Sequence, residues 1–205
     1  MKRLFLGLFA LLLSGAIMAA IEEPTYSVTE KSGAFELRSY KPKILAETFV
    51  SGSMNKASNA GFKLIADYIF GNNTSSAGGS AKISMTTPVT MQPKSEKISM
   101  TAPVTMEQAG GKWRVHFVMP SKYTMATLPK PNNPAVTLRQ EPARNYAVIR
   151  FSGFAGERKT AGKTAQLMKW LASKGIKPTG TPELSRYDAP WTLPFLRRNE
   201  VMVTY

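Results

Sequence analysis

One histidine, no cysteine and eleven methionines limit the chemistry open to this chain. The histidine, His116, lies in the run Trp113-Arg-Val-His-Phe-Val-Met119. A serine–histidine–acid triad would need it beside a nucleophile elbow, and the sequence contains no Gly-x-Ser-x-Gly. Zinc sites built from several histidines or from thiolates are excluded by the same inventory. So is covalent c-type haem attachment, which needs Cys-x-x-Cys-His. His116 remains the one imidazole that could ligate a metal or haem iron, set against the plainer reading of a packed strand histidine. Met85, Met91, Met100 and Met106 offer soft thioethers suited to Cu(I). Their period-two spacing puts them on apolar strand faces, where methionine fills core gaps. Gly156 to Thr164 imitates a phosphate-binding loop, but five residues separate Gly156 from Gly162 where the motif has four. Glu36, Glu47, Asp67 and Asp188 are scattered, and nothing in their spacing pairs two carboxylates. What remains is a binding constellation. Trp191 and Phe195 stand on a loop stiffened by Pro190 and Pro194, followed at once by Arg197 and Arg198. Aromatic surface beside guanidinium groups suits a flat apolar ligand with acidic edges. The alternative is a packed loop over a barrel mouth.

The elements that must carry these residues are mostly strands. Tyr26–Thr29 and Ala34–Tyr40 flank a turn and read as a hairpin, and a third strand follows Pro42. Met54, Ala57, Gly61, Leu64, Ile65 and Tyr68 recur at three and four, so 53–70 reads as a helix whose apolar stripe is widened by Phe62, Ala66 and Ile69. Residues 72–81 read as an irregular loop. Then one phrase appears twice: Ile-Ser-Met-Thr-Thr-Pro-Val-Thr-Met at 83–91 and Ile-Ser-Met-Thr-Ala-Pro-Val-Thr-Met at 98–106. Alternation predicts two neighbouring strands, each with an apolar and a hydroxyl face, joined by a turn at 92–97. Pro88 and Pro103 cannot donate to a ladder, so edge, bulged or broken strands are expected. Residues 113–119, 135–140 and 146–152 read as further strands. A second helix follows Gly156, with Ala161, Thr164, Ala165, Met168 and Leu171 on its stripe, and the chain closes on Glu200–Tyr205. Each half thus reads strand, strand, helix, strand, strand. This predicts an α+β fold: a curved antiparallel sheet closing toward a barrel, with helices outside.

The first twenty residues form a separate unit. Lys2 and Arg3 precede an apolar run from Leu4 to Leu13, and small residues at Ser14–Ala16 and Ala19–Ala20 offer cleavage points. This is the order of a secretory signal peptide, cut between 16 and 20, with an apolar core too short to span a bilayer. Residues 21–205 then form a single domain, with no transmembrane span after cleavage. Twenty-seven Lys and Arg face 13 Asp and Glu, and losing the leader leaves a net charge of about +12. An exported protein of that charge points to anionic envelope surfaces or acidic ligands rather than nucleic acid.

Several segments together resemble the SOUL haem-binding family. They are Phe35-Glu-Leu-Arg-Ser-Tyr40, Leu64-Ile-Ala-Asp-Tyr-Ile-Phe-Gly-Asn72, both Met-Thr-x-Pro-Val phrases, Val115-His-Phe-Val-Met-Pro120, Phe151-Ser-Gly153, Tyr187-Asp-Ala-Pro190 and Arg197-Arg-Asn-Glu-Val201. The resemblance runs from about residue 22 to the C-terminus. It implies a distorted antiparallel eight-stranded β-barrel from two related halves, flanked by two α-helices, and non-catalytic, non-covalent binding of haem or a related porphyrin. It also implies a groove beside the first helix, mapping to Phe62, Ile65, Ala66 and Ile69, and a loop carrying Trp191 and Phe195, with Arg197 and Arg198 toward the propionates. Ser39 stands where the family's vertebrate member has its proposed axial histidine, and a hydroxyl is a poor haem ligand. The expected protein is therefore an exported, periplasmic tetrapyrrole binder. The rival readings are a barrel for another amphipathic small molecule and an envelope interaction protein with no small ligand.

Overall fold

A computed structural model describes residues 22–93 and 112–205. The leader and the second copy of the repeated phrase lie outside the described residues. In chain order the elements are β1 (Tyr26–Ser32), β2 (Phe35–Tyr40), β3 (Lys43–Ser51), α1 (Met54–Ile69), β4 (Asn73–Thr74), β5 (Val89–Pro93), β6 (Lys112–Val118), β7 (Lys130–Pro131), β8 (Thr137–Glu141), β9 (Arg144–Phe151), α2 (Glu157–Ser173), β10 (Glu183–Arg186) and β11 (Asn199–Thr204). The α+β class is as expected.

Nine of these strands form one antiparallel sheet in the order β1-β2-β9-β11-β10-β5-β6-β3-β8. This order has an internal dyad between β10 and β5. The units β2-β3-α1-β5-β6 and β8-β9-α2-β10-β11 are equivalent, and each lends its first strand to the other: β2 pairs with β9, and β8 with β3. The expected closed eight-stranded barrel is not what the described residues form, because β1 and β8 remain the two edges of the sheet.

The sheet nevertheless has to roll. Strands β2 and β3 stand six places apart in it, yet only Lys41 and Pro42 join them. Six flat inter-strand steps would span about 29 Å, whereas three Cα–Cα steps reach at most about 11 Å. The link from β8 to β9, Pro142–Ala143, imposes the same condition. Register sets the two links side by side, since Tyr40 pairs with Arg144 and Lys43 with Glu141. Across this seam Lys43 Nζ lies 4.7 Å from the Tyr40 ring centroid and 5.3 Å from that of Tyr146.

Rolling gives the sheet two unlike faces. The convex face carries Leu37, Ala147, Ile149, Val201, Val203, Leu184, Met91, Val115, Phe117 and Ala46, which join the core beneath the helices. Helix α1 packs on β3 and β6, and α2 on β9 and β11, so β5 and β10 lie between them. On α1 the buried residues are Met54, Ala57, Ser58, Gly61, Ile65, Ala66, Tyr68 and Ile69. On α2 they are Thr160, Thr164, Leu167 and Leu171, so the stripe is turned by one residue from the expected one and leaves Ala161 and Ala165 outside. Thr164 is tolerated there because its hydroxyl donates to the Thr160 carbonyl at 3.0 Å.

The first copy of the repeated phrase is broken at Pro88. Within it strand begins at Val89, in β5, and Thr86 makes an isolated bridge to Glu22. The apolar side of the phrase does reach the core through Ile83 and Met91. Its hydroxyl side is buried too: Thr90 Oγ1 lies 2.9 Å from Ser185 Oγ, and Thr86 donates to the Val118 carbonyl. Residues 72–81 form an organised turn, because the Asn73 side chain donates to the Tyr68 and Ala81 carbonyls, each at 2.7 Å.

Two glycines give opposite expectations. A Cβ on Gly61 would stand 2.6 Å from Val115 Cβ where α1 presses on β6, while one on Gly162 would meet nothing within 4 Å. Gly61→Ala is expected to lower stability by about 1–3 kcal/mol through overpacking. Gly162→Ala is expected to raise it by about 0.5–1 kcal/mol through helix propensity. Urea unfolding of both variants measures the two signs.

Candidate functional site

The concave face is charged and closed in. Arg38 donates to Glu200 through two nitrogens, at 2.8 and 3.0 Å, and to the Tyr40 hydroxyl at 3.1 Å. Glu200 also accepts from the Tyr187 hydroxyl at 2.8 Å and from Arg198 Nε at 2.9 Å. A second group continues the network: Arg114 lies 3.5 Å from Glu47 and 3.6 Å from Glu183, Arg139 lies 3.2 Å from Glu47, and Lys43 lies 3.2 Å from Glu141. Burial by itself would raise the Glu200 carboxyl; bonds and charge from Arg38 and Arg198 outweigh it and hold the group below the ordinary carboxylate value. Burial pushes Glu183 up, against the opposing charges of Arg114 and Lys43. These carboxylates are matched to cations from neighbouring strands, so the concave face is internally compensated.

His116 belongs to this face. It pairs in register with Glu47 on one side and Thr90 on the other, is 3% exposed, and its Nδ1 has no hydrogen-bond partner. Burial, then the positive charges of Arg114, Lys43 and Arg139, hold it neutral and far below its ordinary pKa. An imidazole enclosed in this way is not presented to a ligand outside the sheet. Among the described residues no three His, Asp or Glu side chains are grouped for a metal.

The convex side is different where β10 leads into β11. Here Gly153, Pro190 and Pro194 shape two loops that lock together. Gly153 has φ +88°, a left-handed value that favours glycine, and its N–H donates to the Pro194 carbonyl at 2.8 Å. Asn199 donates to the Gly153 carbonyl at 2.9 Å. A 3₁₀ turn at Pro194–Leu196 and the Arg197 side chain hold the second loop, Arg197 Nε donating to the Thr192 carbonyl at 2.8 Å and another nitrogen to the Pro190 carbonyl. These locked loops hold apolar side chains out in water: Trp191 is 85% exposed, Phe195 70%, Phe154 65%, Leu196 63% and Leu193 55%. Large exposed apolar side chains on two loops bonded to each other make a candidate interaction site.

Strand alternation decides what the two neighbouring arginines do. Arg197 faces the convex side, where its guanidinium lies 4.8 Å from the Phe154 ring centroid. Arg198 faces the concave side, stacked 3.7 Å from the Tyr187 centroid and bound to Glu200 and Glu23. The expected pair is therefore split across the sheet. A different arginine, Arg186 on β10, joins Arg197. Its guanidinium donates to Ser58 Oγ at 3.0 Å, Asn55 Oδ1 at 3.1 Å and the Ala155 carbonyl at 2.9 Å.

From α1, the groove residues divide sharply. Ile65, Ala66 and Ile69 lie in the core. Phe62 is accessible at 38%, tilted 5.6 Å from Phe117, one turn beyond Ser58 on the same helix face. The structure thus sets Phe62 and Arg197 on the convex side, leaves Trp191 and Phe195 exposed on the loop that Arg197 braces, and puts Arg198 and His116 on the concave side. Phe154 and Arg186 carry this group and were not singled out from sequence. Phe154 had one signal, a large apolar residue in a Gly153–Gly156 loop; Arg186 had none, because its neighbours Ser185 and Tyr187 point to the other face. A separate cavity of about 530 Å³ opens near the β2–β3 link, lined by Pro24, Pro42, Ile44, Met119, Tyr123 and Met125 among others. No described helix is long and apolar enough to cross a membrane.

Comparison with known proteins gives one family. The model described as SOUL heme-binding protein matches residues 21–204. No curated protein matches. Solved structures with a similar fold include the C-terminal domain of EcmrR, at 12% identity and TM-score 0.59, covering 87% of this chain and 96% of that one. They also include an uncharacterized conserved protein from Listeria innocua, at 11% identity and TM-score 0.55, covering 82% and 90%. A hydrolase from Listeria innocua aligns at 11% identity and TM-score 0.54, covering 85% and 93%. At these identities the likeness is one of fold.

The concave network gives two expectations. Replacing Glu200 by Gln leaves Arg38 buried without its full counter-charge and is expected to cost about 3–5 kcal/mol at neutral pH, read by urea unfolding. His116 is held neutral when folded and titrates near its ordinary value when unfolded. Its contribution is therefore full above about pH 6.5 and is lost as pH falls below that, at up to about 1.4 kcal/mol per pH unit. The depressed carboxyls of Glu200, Glu141 and Glu36 act in the same direction, but only below their ordinary value of 4.5. Glu183, pushed up by burial, acts the opposite way, so the His116 contribution is read as a difference: from pH 7.5 to 5.5 the native protein is expected to lose stability relative to His116→Leu.

Proposed function

The chain belongs to the SOUL heme-binding protein family, and on that premise we propose that it is an exported, non-catalytic carrier of haem or a related tetrapyrrole, held on the convex aromatic platform. The observation that carries this placement is the exposed Phe154 ring beside the Arg197 guanidinium, with Trp191 and Phe195 exposed on the loop that the same arginine braces. A planar apolar molecule would cover that surface, and each Å² removed from water contributes about 25 cal/mol. Acidic substituents at its edge would meet positive charge. Attachment is non-covalent, since the sequence has no cysteine for a thioether link. Bound haem would supply iron redox chemistry and a chromophore; the chain supplies apolar surface, orientation and charge. No described imidazole stands on the platform, so affinity there rests on the macrocycle and its acidic edge rather than on iron coordination. Export, with a periplasmic location, rests on the leader pattern at 1–20. An anionic envelope surface would be a further partner for the excess positive charge.

A second reading is a binder of another amphipathic small molecule, supported by the 530 Å³ cavity beside Met119 and Met125. Under it, ligand affinity would respond to Met125 and not to Trp191.

Titrating haemin into the protein tests the first reading. A saturable Soret shift at micromolar concentration is expected. Trp191→Ala and Phe195→Ala should each weaken binding by about 3- to 10-fold, from a stacking loss of about 0.5–1.5 kcal/mol. His116→Ala should leave the Soret band where it is. A titration with no saturable shift would contradict the proposal.

A further inference from the structure

Cations and carboxylates are unevenly matched on the two faces of this sheet. Among the described residues Arg38, Arg114, Arg139 and Arg198 each have a carboxylate within ion-pair distance. Arg186 and Arg197 are half-buried as well, yet both bind only neutral oxygens. They approach one short segment from two sides. Arg186 donates to the Ala155 carbonyl, and Arg197 lies over the ring of the adjoining Phe154. The acids next to these loops in sequence are engaged elsewhere: Glu157 Oε1 accepts from the Met54 amide at 3.2 Å, and Asp188 Oδ2 from the Arg198 amide at 2.5 Å.

We propose that Arg186 and Arg197 together receive the carboxylate groups of the platform ligand, with Phe154 between them supporting its flat body. This rests on the tetrapyrrole reading above and identifies the residues that recognise the acidic edge. Arg198 is excluded, because it faces the opposite side and is already bound to Glu200 and Glu23. Two like charges against one segment repel. Burial and then Arg197 both disfavour the charge on Arg186, lowering its pKa. An incoming carboxylate reverses both effects and finds donors ready, since Arg186 commits three of its bonds to protein and a guanidinium has five. The planar fork favours carboxylate over a point anion. The ligand class is therefore a planar apolar molecule with free carboxylates, and the esterified form of the same molecule is discriminated against.

Haemin and haemin dimethyl ester distinguish this from simple apolar adhesion, because esterification removes the negative charge and keeps the macrocycle. Each is titrated into the native protein, Arg186→Gln, Arg186→Lys and Arg197→Gln, following the Soret band and tryptophan quenching. The native protein should bind haemin at least about tenfold more tightly than the ester. Arg186→Gln and Arg197→Gln should each lose about tenfold for haemin and nothing for the ester. Arg186→Lys should recover only part of the loss. Arg186 also ties α1 to β10, so circular dichroism accompanies its variants. Arg197, bonded within its own loop, carries the test if an Arg186 variant unfolds. Equal affinity for haemin and ester in the native protein, or haemin binding unchanged in both Gln variants, overturns the two-arginine receptor while leaving the tetrapyrrole reading intact. Binding of neither compound overturns both.

Discussion

Two connections of two residues each, Lys41–Pro42 and Pro142–Ala143, determine the shape of this molecule. Each joins strands six places apart in one sheet, and a chain that short can do so only if the sheet rolls. The dyad makes the two connections equivalent and register brings them together. Hydrogen bonds among the described residues leave the cylinder open, so the seam is held by the chain crossings and by Lys43 against Tyr40 and Tyr146.

Rolling makes the division of labour between faces possible. The concave face is taken out of water, so its charges have to be matched there. Glu200, Glu47, Glu141 and Glu183 stand among Arg38, Arg114, Arg139, Arg198 and Lys43. A buried network of this kind adds little net stability over an apolar equivalent, but removing one member is costly. It also engages most of the buried carboxylates. The convex side, apolar under the helices, is left with two guanidinium groups facing neutral oxygens and with loops that hold aromatic rings in solvent. Binding surface and missing counter-charge coincide around residues 153–156, Arg186 and Arg197, on the side of the sheet away from its ionic interior.

Period and punctuation in the sequence reveal most of the elements. The α1 stripe, the hairpin, the alternating strands and the strand-strand-helix-strand-strand order of each half are all visible as spacing. The exchange of first strands between halves is not, since pairing partners far apart in sequence leave no local trace; without it the sheet order and the open seam cannot be inferred. The α2 stripe sits one residue from the expected one because the buried Thr160 reads as polar while the exposed Ala161 and Ala165 read as apolar. At the site, Trp191, Phe195 and Arg197 were legible from composition. Arg198 was drawn in by adjacency, which strand alternation cancels. Ile65, Ala66 and Ile69 carry the apolar signal of a core and of a groove alike, and only packing separates the two. Arg186 is set apart by what it lacks, a carboxylate partner, and that is a property of three dimensions.

Placement of the ligand on the convex platform is the claim on which the rest of the functional account depends, and amide chemical-shift mapping addresses it most directly. Metal-free protoporphyrin IX, which is diamagnetic and keeps both carboxylates, is added to isotope-labelled protein. The account predicts perturbations concentrated at 153–158 and 186–198 and near Phe62, with His116, Glu47 and Glu183 unmoved. Perturbations concentrated on those concave residues, or around the cavity at Met119–Ala126, would contradict it.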